Sequence, residues 1–165
     1  MPGEPLQVGS ATVTPVLLNH PVIDLGYRID CDGKSVFFTG DHEPWGNIYA
    51  PEDEGYAEYQ QMVDMQQGQL DRALAGLDVL IADSSYTAAE YPAKVGWGHG
   101  TLEGHIAWAR RLGVKKLVCT HHEPTRSDDE LEQVFAAALA SSGYVPGGAG
   151  EPEIMLSREG LELVL

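Results

Sequence analysis

The side chains able to do acid–base or metal chemistry gather just past apolar runs: His20, Asp41 beside His42, Asp83, His99, and the pair His121-His122. Imidazole and carboxylate together make a ligand set suited to zinc, manganese or iron. A divalent ion held that way would activate water near neutral pH and polarise a phosphoryl or carbonyl oxygen. Plainer roles compete with this one. A lone histidine at a strand end is more often solvated or capping, and an aspartate there is more often a turn or cap residue. His105 falls inside a predicted helix, where exposure or packing accounts for it. Adjacent residues on a strand face opposite ways, so at most one of His121 and His122 looks into a shared cleft. Residue types alone therefore define an α/β domain with room for a metal site.

The elements that must position these groups are legible in outline. Val22–Ile29 and Lys34–Thr39 read as strands joined by an Asp32-Gly33 hairpin turn. Ala11–Leu18 precedes them as a third strand of a meander, with Pro15 arguing for an edge or an irregularity. His42–Gly55, rich in proline, aromatic and acidic residues, is a long loop of the kind that overhangs a site. Tyr56, Tyr59, Val63, Leu70 and Leu74 recur at helical spacing, and Gly76 ends that helix. Asp78–Ala82 and Lys116–Thr120 are short apolar runs typical of covered strands. Between them Thr101 caps a helix reaching Leu112, and Ser127 with Glu130 forms a capping box for a third helix. Glu153–Leu156 and Leu161–Leu165 are expected to close the chain as strands. Alternating strands and helices imply an α/β layer, whose ligands sit beyond the carboxyl ends of the strands.

Composition bounds the function. The chain has 165 residues, enough for a single domain with a workable core, and 43% of them are hydrophobic. With 25 acidic against 10 basic side chains the formal charge is −15, which disfavours nucleic acid as a partner. The absence of a membrane-length apolar run or a secretory leader pattern points to a cytoplasmic protein without membrane contact. Cys31 and Cys119 lie in strand-like contexts and are expected as free thiols.

The succession V-T-P-V-L-L-N-H, G-Y-R-I, S-V-F-F-T-G-D, D-V-L-I-A-D-S-S-Y, G-H-G-T and K-L-V-C-T-H-H-E-P resembles metallo-β-lactamase-fold hydrolases, most closely the ribonuclease Z and phosphodiesterase branch. The resemblance is strongest over residues 20–124 and carries several expectations. The fold is α/β: the second half of an αββα sandwich, a mixed sheet with helices on one face, forming one partial domain over residues 1–165. By resemblance His20 is a ligand of one metal, Asp41 bridges two, and His121 is the last ligand, with His122 as the alternative in that position. His99 corresponds to a substrate-binding or proton-donating histidine, and Asp83 to the carboxylate that orients it. Zinc is the first expectation, with manganese or iron next.

The family's H-x-H-x-D-H motif does not occur, since no histidine precedes His20. The chain accordingly reads as starting well into the family's fold, with the first half absent. Two ligands per ion are few for zinc. The expectation is a hydrolase of a phosphodiester or similar small anionic ester, incomplete or inactive alone. Its unpartnered sheet face would be covered by self-association, a separate chain or a complementary N-terminal half. Two alternatives remain: a non-catalytic interaction module that keeps the fold, and a generic binding domain whose histidines lie far apart.

Overall fold

A computed structural model describes residues 2–165. Among these residues the chain forms one seven-stranded sheet and three α-helices. The strands are β1 (Leu6–Val8), β2 (Ala11–Leu17), β3 (Leu25–Cys31), β4 (Lys34–Phe38), β5 (Val79–Asp83), β6 (Lys116–Thr120) and β7 (Glu153–Leu156). The helices are α1 (Tyr56–Leu74), α2 (Leu102–Leu112) and α3 (Asp128–Ser141). Spatial order follows sequence order across the sheet. The first three pairings are antiparallel and the last three parallel.

That order explains where the helices lie. Each parallel step moves the chain the same way across the sheet, and right-handed crossovers taken in one direction put every connecting helix on one face. Leu70 and Leu74 of α1, Ile106 and Ala109 of α2 and Ala138 of α3 form one core with Phe37, Leu80, Leu117 and Cys119 of the sheet. Arg28 reaches across to donate to the Ala73 carbonyl at the end of α1. Trp108 Nε1 donates to Asp71 at 2.8 Å, tying α2 to α1. On the opposite face the registers align Val13, Ile29, Val36 and Val79, then Pro15, Tyr27, Phe38, Ile81 and Val118. No helix packs there among the described residues. Tyr27, Ile29 and Phe38 remain 41%, 37% and 43% exposed on that face.

The helices and the two central parallel strands fall where periodicity and capping place them. Thr101 accepts from the Gly104 N–H, and Ser127 and Glu130 form the reciprocal capping box. Three expectations change. Val22 and Ile23 are not strand residues. They sit exposed in a loop closed by the Leu18 N–H to Asp24 carbonyl bond, so β3 begins only at Leu25. Leu161–Leu165 has no strand partner. The three-residue β1, missed in the sequence, pairs with β2, so β2 is not an edge strand. Pro15 is tolerated because its carbonyl accepts from the Gly3 N–H beyond the end of β1. Its missing donor therefore falls on the side where the ladder has stopped. Both cysteines are free, Cys119 buried and Cys31 only partly so.

Candidate metal centre

β2 and β4 each run antiparallel to β3, and β5 and β6 run parallel to β4. Their carboxyl ends therefore share one edge of the sheet. His20 follows β2, Asp41 follows β4, Asp83 ends β5 and His121 follows β6. His99 reaches the same edge from the turn before α2.

Asp83 is fully buried. Its Oδ2 accepts from the His42 N–H at 3.1 Å and from His99 Nδ1 at 2.7 Å, and its Oδ1 accepts from Ser85 Oγ at 2.8 Å. A carboxylate facing donors only accepts, so His99 carries its proton on Nδ1 and leaves Nε2 bare. Both oxygens of Asp83 are thus engaged in orienting neighbours.

Asp41 presents one oxygen to each of two imidazoles. Oδ2 lies 3.7 Å from His20 Nε2, and Oδ1 lies 2.9 Å from His121 Nδ1. His20 Nδ1 faces the Val22 backbone, 3.2 Å from its carbonyl and 3.4 Å from its N–H, which turns Nε2 toward Asp41. Two ligands on one zinc, bonded at about 2.0–2.1 Å, stand about 3.3 Å apart at the tetrahedral angle. The His20–Asp41 gap is close to that spacing, and the donor set of imidazoles and a carboxylate fits a divalent ion. Asp41, Asp83, His99 and His121 each offer a ligand atom within 4.8 Å of the others. The His99 ring lies 5.9 Å from His20 and 4.6 Å from His121, between centroids. The histidines are not scattered, which removes the ground for the generic binding domain.

His122 stands apart, its Nε2 3.3 Å from the Ser157 carbonyl. The two imidazoles diverge because β6 stops at Thr120 and His121 turns left-handed, with φ of 56°. Such a backbone costs energy for a β-carbon residue. Ser85 Oγ lies against the His121 carbonyl as well as Asp83 Oδ1, its single proton shared between the two acceptors.

Several supports escaped the sequence reading. Asp24 Oδ2 accepts from the Asp41 N–H at 2.8 Å, and Gly40, at φ of 62°, leaves room for that carboxylate. Glu43 is 5% exposed. It accepts from Tyr91 Oη at 2.6 Å and from the Gly96 and Gly98 N–H groups at 2.8 Å each. Burial and that bond hold the Tyr91 phenol well above its ordinary range. Glu43 thereby fixes the loop that carries His99. A β-carbon on Gly98 would stand 2.1 Å from His20 Cδ2, so this loop seats directly on His20. No local pattern reveals such roles, because their partners lie tens of residues away in sequence.

Beneath the cluster His42 and His105 are buried, 1% and 2% exposed. Burial, with neighbouring His105, lowers His42 to about 3. Burial also lowers His105, against the raising effects of Asp83 and the Thr101 carbonyl. His105 is thus a packing residue of α2.

A one-sided α/β sheet with imidazoles and carboxylates gathered at its strand ends is the architecture of metallo-β-lactamase-type proteins. The sequence profile of the beta-lactamase superfamily domain matches residues 1–122, and the chain belongs to that family. An uncharacterized protein of Mycobacterium tuberculosis, Rv1339, is 28% identical over 130 residues, 78% of this chain and 38% of the relative. An uncharacterized protein of Mycobacterium bovis matches to the same extent. Among solved structures, the metallo-beta-lactamase fold protein YhfI from Bacillus subtilis aligns with 98% of this chain and 52% of its own, at TM-score 0.65 and 19% identity. Zn(2+)-bound PqqB from Methylobacterium extorquens gives 99% and 50%, with TM-score 0.57 and 20% identity. A diphosphatase from the PhnP family gives 99% and 47%, with TM-score 0.55 and 21% identity. The chain spans 38% of the curated relatives' length and about half of these structures. That agrees with one sheet-and-helix layer of the two-layer sandwich. No helix among the described residues is long and apolar enough to cross a membrane.

Two outcomes follow from the buried supports. In the unfolded chain His42 and His105 titrate near 6.5, whereas folding holds both lower, so the unfolded state binds more protons below that pH. Stability is complete above about pH 6.5 and falls as pH drops toward 5.5. The thermal midpoint measured across that window, above the carboxylate range, checks this; a flat profile contradicts it. Glu43→Ala leaves the Gly96 and Gly98 N–H groups without their acceptor. It is expected to cost about 1–3 kcal/mol in chemical denaturation and to broaden the His99 ring resonances.

Proposed function

We propose that the chain supplies one wall of a metal-dependent hydrolase site acting on a phosphodiester or a similarly small anionic ester. The observation that carries this reading is Asp41 standing between His20 and His121, beside the Asp83–His99 pair. His20, Asp41 and His121 would hold the metal, with zinc the first candidate and manganese or iron next. When bound, such an ion supplies Lewis-acid polarisation and a water acidified toward neutral pH.

The chain's own residues supply the proton chemistry. His99, fixed through Nδ1 by Asp83, has Nε2 bare, and there it would take the proton of the attacking water and give it to the leaving oxygen. Asp83 stabilises the imidazolium formed in between. The uncompensated acidity of the surface repels long polyanions and leaves small anionic esters as the better match. Each imidazole shares Asp41 and has no other protein ligand among these residues, so a complementary layer would finish the coordination. The same layer, or a second copy of this chain, would cover Tyr27, Ile29 and Phe38 on the helix-free face.

Calorimetric titration with zinc and with manganese tests the metal reading. Binding by the chain is expected to weaken at least about tenfold in Asp41→Ala, since even outer partners of metal ligands are worth about 10–100-fold. Equal binding by the variant, or none by the wild type, rejects it. Metal binding without turnover of bis(p-nitrophenyl) phosphate, even with a complementary layer added, favours the interaction module instead. Light scattering is expected to show species heavier than the 17.9 kDa chain. A clean monomer with no tendency to aggregate would count against the covered face.

A further inference from the structure

Beside the metal-facing edge lies a hollow of about 620 Å³, within the size range of small-molecule sites. His20 belongs to both: it lines the hollow, and its Nε2 stands 3.7 Å from Asp41. The walls are held in place by their own hydrogen bonds. Asn47 Nδ2 donates to the Tyr56 carbonyl at 3.0 Å and to Gln60 Oε1 at 3.1 Å, which pins the loop after β4 to the start of α1. The Glu43 N–H donates to the Asn19 carbonyl at 2.9 Å, and Asn19 Nδ2 donates to the Pro44 carbonyl at 3.3 Å. The Glu43 carboxylate grips the Gly96 and Gly98 N–H groups from a third segment. A cavity built in advance loses little affinity to ordering its walls around a ligand.

The lining is mainly aromatic and aliphatic. Trp45, Tyr59 and Tyr91 contribute rings, each partly buried, and Pro21, Ile48 and Val95 add aliphatic surface. Tyr49 backs the Tyr59 ring edge-on, at 5.6 Å between centroids. Rings arranged this way suit a flat aromatic guest, by stacking or by edge contact. Ile48 and Val95 are 73% and 64% exposed, so a guest would cover apolar surface that now meets water. The lining holds nothing to pair with a charge on that guest. It contains no lysine or arginine. Lys94, next to Val95, places its ammonium 4.0 Å over the ring of Trp97, which is not part of the lining. Glu43 is the one carboxylate there, and its two oxygens are taken by Tyr91, Gly96 and Gly98.

We propose that this hollow receives an uncharged aromatic arm of the ester, so that the substrate is a diester with one aryl or arylalkyl group. The assignment rests on the hydrolase reading, because the phosphoryl group would sit across His20, toward Asp41. Trp45, Ile48 and Tyr59 then determine specificity: they select the arm and take no part in breaking the bond. Burial of the arm adds affinity that the formal charge of −15 does not oppose, while the single negative charge of the diester stays at the metal-facing edge.

Benzyl alcohol is the first probe, beside benzoate and benzylamine, which carry the same ring with a negative and a positive charge at neutral pH. Chemical-shift titration of the full chain in the presence of a chelator reads the hollow with no metal required. Benzyl alcohol is expected to shift the Trp45 and Gly46 signals saturably, with both charged analogues at least about tenfold weaker. Trp45→Ala is expected to weaken benzyl alcohol about tenfold. Ile48→Asp, at an exposed position where folding is spared, is expected to weaken it at least about threefold. No saturable binding, equal binding of the charged analogues, or binding that survives both variants overturns the proposal. The substrate role is read by calorimetry on the zinc-loaded chain, with benzyl methyl phosphate against dimethyl phosphate. Each carries one negative charge, and the benzyl diester is expected to bind at least about tenfold tighter, a preference that both variants reduce. Equal affinities, with benzyl alcohol still bound by the metal-free chain, overturn the substrate role and leave the hollow as a binding site. Absence of zinc binding removes the hydrolase reading and the substrate role with it, and the benzyl alcohol titration still decides the hollow.

Discussion

The buried carboxylate of Asp83 is the interaction on which the rest of the site depends. It ends a central parallel strand, lies entirely out of solvent, and gathers the His42 backbone, the Ser85 hydroxyl and the His99 ring. A buried carboxylate persists only where donors replace its lost hydration. Meeting that demand draws three separate segments to one point. The segment after β4 arrives through His42 and so brings Asp41 with it. The turn before α2 arrives through His99. The segment after β6 arrives through the His121 carbonyl, which lies against the same Ser85 hydroxyl that faces Asp83.

The sheet order does the remaining work of convergence. Five strands run in one sense, and the carboxyl ends of four of them put His20, Asp41, Asp83 and His121 on a common edge. Continuing in one direction leaves every helix on one side. The bare apolar side and the gathered edge are thus two results of a single topological choice. The solved structures that share the fold contain about twice the length, as a second layer would require.

Much of this was legible in the sequence where signals are local. Tyr56–Leu74, the Thr101 cap and the Ser127–Glu130 box follow from periodicity and capping, and the ordered motifs name the family. Illegible features all involve distant partners. Val22 and Ile23 have strand propensity, yet the loop closed at Asp24 overrides it because Asp24 must meet the Asp41 backbone. Glu43 looked like one acid among several in a long loop, and only its buried donors, contributed from Tyr91 to Gly98, distinguish it. The separation of His121 from His122 was expected from strand alternation. It arises instead from a left-handed residue just past the strand.

The seating of the Gly98 loop on His20 has a consequence for how the molecule acquires its shape. Glu43 and Gly98 are 55 residues apart in sequence, and His99 and Asp83 are 16. Contacts of long sequence separation form late, because the chain between them must first lose its freedom. The helices, whose contacts are local, can be complete while this edge is still open. By the same reasoning the edge is the part released by the smallest opening of the native state. Hydrogen-exchange protection should therefore be graded between the sheet and its edge, deepest at Leu80 and Leu117 and shallowest at the Gly96–His99 amides.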